Sequence, residues 1–180
     1  MRILAVALAV GALALGAAAV QADPVQAPLS IKVGNAWPSQ SQAKYDEGNN
    51  VLTAGLDYAV SKNTGDEPSI GSVYFDYTGG TRHSGHLNTY GVGVAARAYG
   101  TNPGGNASIG AATYYGAGVG LYRVDDKDLG LDKTNSSIGG KVFAGVEFGK
   151  SLLAEIGYQW LPKADGADPS SFIAEVGLRL

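Results

Sequence analysis

The chain has 180 residues and no cysteine, with 16 Asp and Glu against 13 Lys and Arg. The missing cysteine excludes a lipoprotein anchor, disulfides and thiolate metal sites, and the acidic balance argues against nucleic acid as a partner. Glycine is abundant (27 residues) without a collagen period and Tyr outnumbers Phe ten to four, a composition that suits short alternating strands and not helices.

Taken in chain order, Met1-Arg2-Ile3 opens an apolar, small-residue run that ends Val20-Gln21-Ala22 before Asp23-Pro24. One positive charge, an apolar stretch and a small-residue end predict a secretory signal peptide over 1–22, cleaved after Ala22. Residues 23–180 then form one domain, of a length that can bury a real core. Its remaining segments alternate with period two between clusters of turn-forming residues, which predicts eight strands, over 29–37, 51–60, 72–78, 88–99, 113–124, 140–148, 152–160 and 171–180. The expected fold class is all-β, an eight-stranded antiparallel up-and-down barrel.

Each strand splits into two faces. One carries Ile31 and Val33, then Leu52, Leu56, Tyr58 and Val60, and continues in this manner to Val176, Leu178 and Leu180, without charge. The other carries Lys32, Asp57, Asp76, Arg97, Lys141, Glu147, Glu155, Glu175 and Arg179, interleaved with glycines such as Gly91, Gly93, Gly116, Gly118 and Gly120. Alternation alone fits either a soluble barrel with the apolar face inside or a membrane barrel with it outside. The glycines favour the second reading, because a narrow lumen needs small residues beside long ones. So do the aromatics: with strand 1 running outward, Trp37, Tyr77, Tyr90, Trp160 and Phe172 fall at one end and Tyr58, Tyr115 and Phe148 at the other, as two bilayer interfaces select. Strands near ten residues match a tilted crossing, which takes about 9–11.

The final run from Phe172 to Leu180, with Phe172, Val176, Leu178 and Leu180 on one face, resembles the C-terminal signal read by the barrel-assembly machinery, although a terminal Leu departs from the usual Phe or Trp. With the opening Leu29-Ser30-Ile31-Lys32-Val33-Gly34-Asn35-Ala36-Trp37-Pro38, it makes the chain similar to the small OmpA/OmpX-type outer-membrane barrels. The resemblance implies export through the periplasm, residence in the bacterial outer membrane, contact with outer-membrane lipid and lipopolysaccharide, passage through the assembly machinery and a monomeric state without cofactor. It implies outer loops at 38–50, 79–87, 125–139 and 161–170, and inner turns at 61–71, 100–112 and 149–151.

Nine inward ionisable groups cannot stay unpaired in a narrow lumen, so a salt-bridged plug is expected, with Arg97 and Arg179 as hubs because a planar guanidinium serves two carboxylates. A narrow polar pore is the functional alternative. Arg82-His83-Ser84-Gly85-His86 invites comparison with lipid A-modifying enzymes, but nucleophilic catalysis needs a third group to orient the base, and Asp76 is the sole neighbouring carboxylate. Two histidines make a weak metal site, and Asp125-Asp126-Lys127-Asp128 lacks calcium-loop spacing. The expectation is therefore a non-enzymatic outer-membrane barrel with a structural, surface-interaction or minor-channel role. A secreted soluble barrel with a lipophilic ligand is the alternative and a lipid A-modifying enzyme the third reading.

Overall fold

The computed structural model describes residues 28–39, 51–63, 69–82, 85–100, 111–128, 131–149, 151–161 and 168–180. The expected signal peptide, His83 and Ser84, residues 101–110 and most of the expected 38–50 and 161–170 loops lie outside them. Eight strands follow one another: β1 (Leu29–Pro38), β2 (Val51–Asn63), β3 (Ser69–Arg82), β4 (Gly85–Tyr99), β5 (Ala111–Asp128), β6 (Leu131–Phe148), β7 (Leu152–Trp160) and β8 (Ser171–Arg179). Each pairs antiparallel with its neighbour in sequence, and β1 pairs with β8 to close the barrel. Closure leaves no open edge around the barrel wall, so the ladder satisfies the wall's own backbone groups. At the seam Leu29 and Leu180 exchange backbone hydrogen bonds. Both lie at the end of the barrel where β1 begins and β8 ends, here called proximal; the opposite end is distal.

The strands form where the alternation predicts them because each backbone step sends one side chain to either face. Several reach further. Residues 125–139, expected as a loop, are mostly ladder, since β5 and β6 pair without a break from Ala111↔Phe148 to Asp128↔Leu131. β3 and β4 likewise pair out to Arg82↔Gly85, within the expected 79–87 loop, and β2 pairs with β3 out to Asn63↔Ser69, within the expected 61–71 turn. The cause is physical: the apolar alternation stops where the wall leaves its apolar zone, whereas backbone hydrogen bonds continue through polar residues. A bulge between Ala59 and Ser61 changes the phase of β2 at its proximal end. The tight turn from β6 to β7 has Gly149 at φ 60°, a left-handed conformation that favours glycine.

The strands differ in length. β5 and β6 have 18 residues each, β7 and β8 nine. The distal rim is therefore slanted, and the β5–β6 hairpin rises above the β7 side, where pairing with β6 starts only at Gly140↔Trp160.

Candidate functional site

The interior of the barrel holds the chemistry. Lys32, Asp57, Asp76, Arg97, Lys141, Glu147, Glu155, Glu175 and Arg179 are all buried. They come from every strand but β5 and meet along the axis. Lys32 is central: its Nζ lies 3.0 Å from Asp57, 2.9 Å from Glu155 and 3.5 Å from Glu175. It reaches them by crossing in front of Gly55, where a Cβ would stand 3.2 Å from its Cε. Arg97 extends the network to Asp57 (3.6 Å), Glu147 (3.4 Å) and Glu155 (3.6 Å). Arg179 grips both oxygens of Glu147 and also donates to the Tyr99 hydroxyl. Lys141 donates to both oxygens of Asp76, at 3.0 and 2.8 Å, with its ammonium 3.7 Å from the centre of the Tyr74 ring. The expected hubs were Arg97 and Arg179; Lys32 is a further hub, because from β1 it reaches carboxylates on both neighbouring strands, Asp57 on β2 and Glu175 on β8, and Glu155 on β7 beyond them.

Hydroxyls add a further donor to three of the five carboxylates. Tyr114 donates to Glu155, Tyr99 to Glu147 and Thr53 to Glu175, at 3.0, 2.8 and 3.0 Å. A carboxylate that accepts both a cation and a neutral donor recovers most of the hydration it has lost. Lys32 is 1 % exposed and Glu155 2 %, so these groups meet one another and not solvent.

Sequence reasoning missed the aromatic half of this interior. Tyr74, Tyr114, Tyr122 and Phe143 are buried on the charged face, and their rings occupy the spaces that glycines leave. A Cβ on Gly91 would meet the Tyr122 ring at 2.2 Å, on Gly116 the Phe143 ring at 2.4 Å, on Gly145 the Tyr114 ring at 2.4 Å, and on Gly93 or Gly120 the Tyr74 hydroxyl at 2.6 Å. The glycines thus accommodate rings more than charged chains. Phe143 shares its face with Lys141, and Tyr74 with Asp76, two residues apart on their strands; that spacing was the available signal.

On the outside stand Leu56, Val73, Val92, Val94, Val119, Leu121, Val142 and Ile156, each exposed. This is the reverse of the arrangement a soluble barrel with a lipophilic ligand requires. Trp37, Tyr58, Tyr90, Tyr115, Phe148, Trp160 and Phe172 are exposed as well, and Tyr77 packs on Tyr90 with ring centroids 5.3 Å apart. Trp37 is registered with Phe172 at the distal end, while Tyr58, registered with Leu29, and Phe148, registered with Leu152, belong to the proximal end. Val176, Leu178 and Leu180 share the outer side of β8 with Phe172. One residue corrects the expected uncharged face. Arg123 continues the row Tyr115, Ala117, Val119, Leu121 and points outward, its side chain 59 % exposed.

His83 and Ser84 lie outside the described residues, as does the side chain of His86; Asp76, the carboxylate considered beside them, is buried in the lumen on Lys141.

No protein-family model matches the chain, and no curated protein matches it in sequence. Solved structures do match. Neisserial surface protein A is 17% identical, with a TM-score of 0.56 over 84% of this chain and 96% of that one. The N-terminal β-barrel domain of OprF from Pseudomonas aeruginosa is 11% identical, with a TM-score of 0.52 over 86% of this chain and 98% of that one. At such identities the likeness is one of fold: the chain has the closed eight-stranded architecture of the small outer-membrane β-barrels.

Proposed function

We propose that this chain is an integral outer-membrane protein whose barrel is a closed, salt-bridged anchor and whose slanted distal rim is its working surface. The observation that carries the reading is the inversion of polarity. Large apolar side chains project outward around the wall, as Val92, Val119, Leu121 and Ile156 do, each more than half exposed, while the charges from Lys32 to Arg179 are buried inside. In water such an exterior would be an aggregation hazard; in a bilayer it is the expected solvent-facing surface. The two aromatic groups, at opposite ends of this apolar zone, suit the two headgroup layers.

The interior supports a structural role for the nine charges. Five carboxylates and four cations fill the lumen together with Tyr74, Tyr99, Tyr114, Tyr122 and Phe143, and an eight-stranded interior is just wide enough for side chains. The charges would hold the strands in register and close the barrel to metabolites, with no catalytic role and no cofactor. The test is membrane fractionation of the full precursor in a Gram-negative host, followed by electrophoresis with and without boiling. Retention in the outer membrane after a urea wash, with a heat-dependent shift in mobility, is the expected result. Release as a soluble periplasmic protein would overturn it. In planar bilayers the folded protein is expected to give no resolvable conductance steps, and steady openings would convert the plug into a pore.

A further inference from the structure

Arg123 has no part in the lumen network and stands on the outer face of β5, at the distal edge of its apolar row. Its position is set by the register of four strands. Tyr77, Tyr90, Arg123 and Ser136 are successive partners across β3, β4, β5 and β6, and form one row. Two residues nearer the proximal end, Phe75, Val92, Leu121 and Ile138 form a second row, wholly apolar. All of these residues but Tyr77 line an open groove of about 620 Å³ on the outer wall. Its floor is strongly exposed, with Val92, Leu121 and Ile138 at 59%, 64% and 67%.

The cation at the head of this groove is held in place. Asp125 accepts from Arg123 Nε at 2.8 Å and from Thr134 Oγ1 at 2.9 Å. The bracket uses Nε, and among the described residues the two terminal amino groups have no acceptor. A guanidinium fork suits a phosphate, which it can meet with two parallel hydrogen bonds. Arg123 lies at the height of Tyr77 and Tyr90, which is headgroup depth if the barrel spans a bilayer, and the apolar row lies at acyl-chain depth.

Resting on the membrane reading above, we infer that this groove binds a phosphate-bearing lipid, its phosphate on Arg123 and one acyl chain along Phe75, Val92, Leu121 and Ile138. Neither half would suffice alone. The apolar row would take any acyl chain, and an exposed arginine would be screened by salt. Their juxtaposition selects a lipid with an anionic headgroup.

The experiment is native mass spectrometry of the folded chain in detergent micelles, titrated with diphosphoryl lipid A and with the same lipid after enzymatic removal of its phosphates. Retention of the phosphorylated lipid about fivefold better than its dephosphorylated form is expected, from the usual contribution of one basic side chain at a membrane surface. Arg123→Gln should abolish that preference, while Ile138→Ser should weaken both lipids alike. Millimolar inorganic phosphate should leave the complex intact, since a lipid and not a free ion is the ligand. Equal retention of the two lipids, or an Arg123→Gln variant that keeps the preference, would overturn the inference and leave the membrane reading standing. Failure of the chain to form a heat-modifiable barrel in micelles would remove the membrane reading, and this inference with it.

Discussion

Strands β5 and β8 build the same lumen by opposite means. The inner row of β8 is Ser171, Ile173, Glu175, Gly177 and Arg179, and its two charges reach Lys32 and Glu147. The inner row of β5 is Ala112, Tyr114, Gly116, Gly118, Gly120, Tyr122 and Val124, without a charge among its described side chains. Where β8 supplies charge, β1 and β6 answer with charge. Where β5 supplies three glycines, rings from β3 and β6 lie down on bare backbone: Phe143 against Gly116, Tyr74 against Gly118 and Gly120. A narrow barrel can thus be filled by pairing ions or by pairing rings with glycines, and this one uses both around a single axis.

The largest effect should come from the charged side. Lys32→Met leaves Asp57, Glu155 and Glu175 short of their shared cation, and stripping one partner from a buried ion network costs about 3–5 kcal/mol. Urea unfolding in lipid vesicles, followed by loss of the heat-modifiable band, should show a much lower midpoint, and an unchanged midpoint would mean that Arg97 suffices for Asp57 and Glu155 and that Glu175 needs no cation. Next in size is a test of inside against outside. Val119→Arg places a charge on the outer wall of β5 and should cost about 2–4 kcal/mol near the bilayer midplane; the same change on a water-facing wall would be nearly neutral, so a silent variant would mean the face is wet.

The ring-filled side should respond to volume. Gly91→Ala drives a Cβ into the Tyr122 ring, where 2.2 Å is available, and overpacking of this kind costs about 1–3 kcal/mol. Gly118→Ala, with 3.0 Å to Tyr74, should cost less. In the double variant Gly91→Ala/Tyr122→Ala the two losses should fall short of additivity, and full additivity would separate glycine from ring. The smallest effect is expected for Tyr122→Phe, which removes the 2.9 Å hydrogen bond between the Tyr74 and Tyr122 hydroxyls at about 1 kcal/mol, measured by the same unfolding curves.

The contrast between β5 and β8 also explains how much of the interior was legible. Glu175 and Arg179 announce themselves in a sequence, because a charge among alternating apolar residues has to be accounted for. Tyr114 and Tyr122 do not, since a tyrosine suits a lipid interface as well as a lumen, and only the phase of the strand separates Tyr114, inside, from Tyr115, outside. Arg123 differs: its phase was legible, two residues beyond Leu121 in the predicted strand 113–124, but a charge there runs against the apolar character of the row.

By itself the sequence determined the eight strands and the two faces of each, since alternating side chains on a pleated backbone need only local information, and its glycines and aromatics pointed to the charged face as the inner one. It also determined that charges and glycines would share the interior. Tertiary structure alone decided the rest: that Lys32 meets three carboxylates, that each ring finds its glycine, that β5 and β6 outrun their apolar pattern, and that Arg123 shares a row with Tyr90. Each of these depends on how far neighbouring strands slide past one another before the barrel closes. That offset is a sum over eight backbone ladders, and no single segment of the chain contains it.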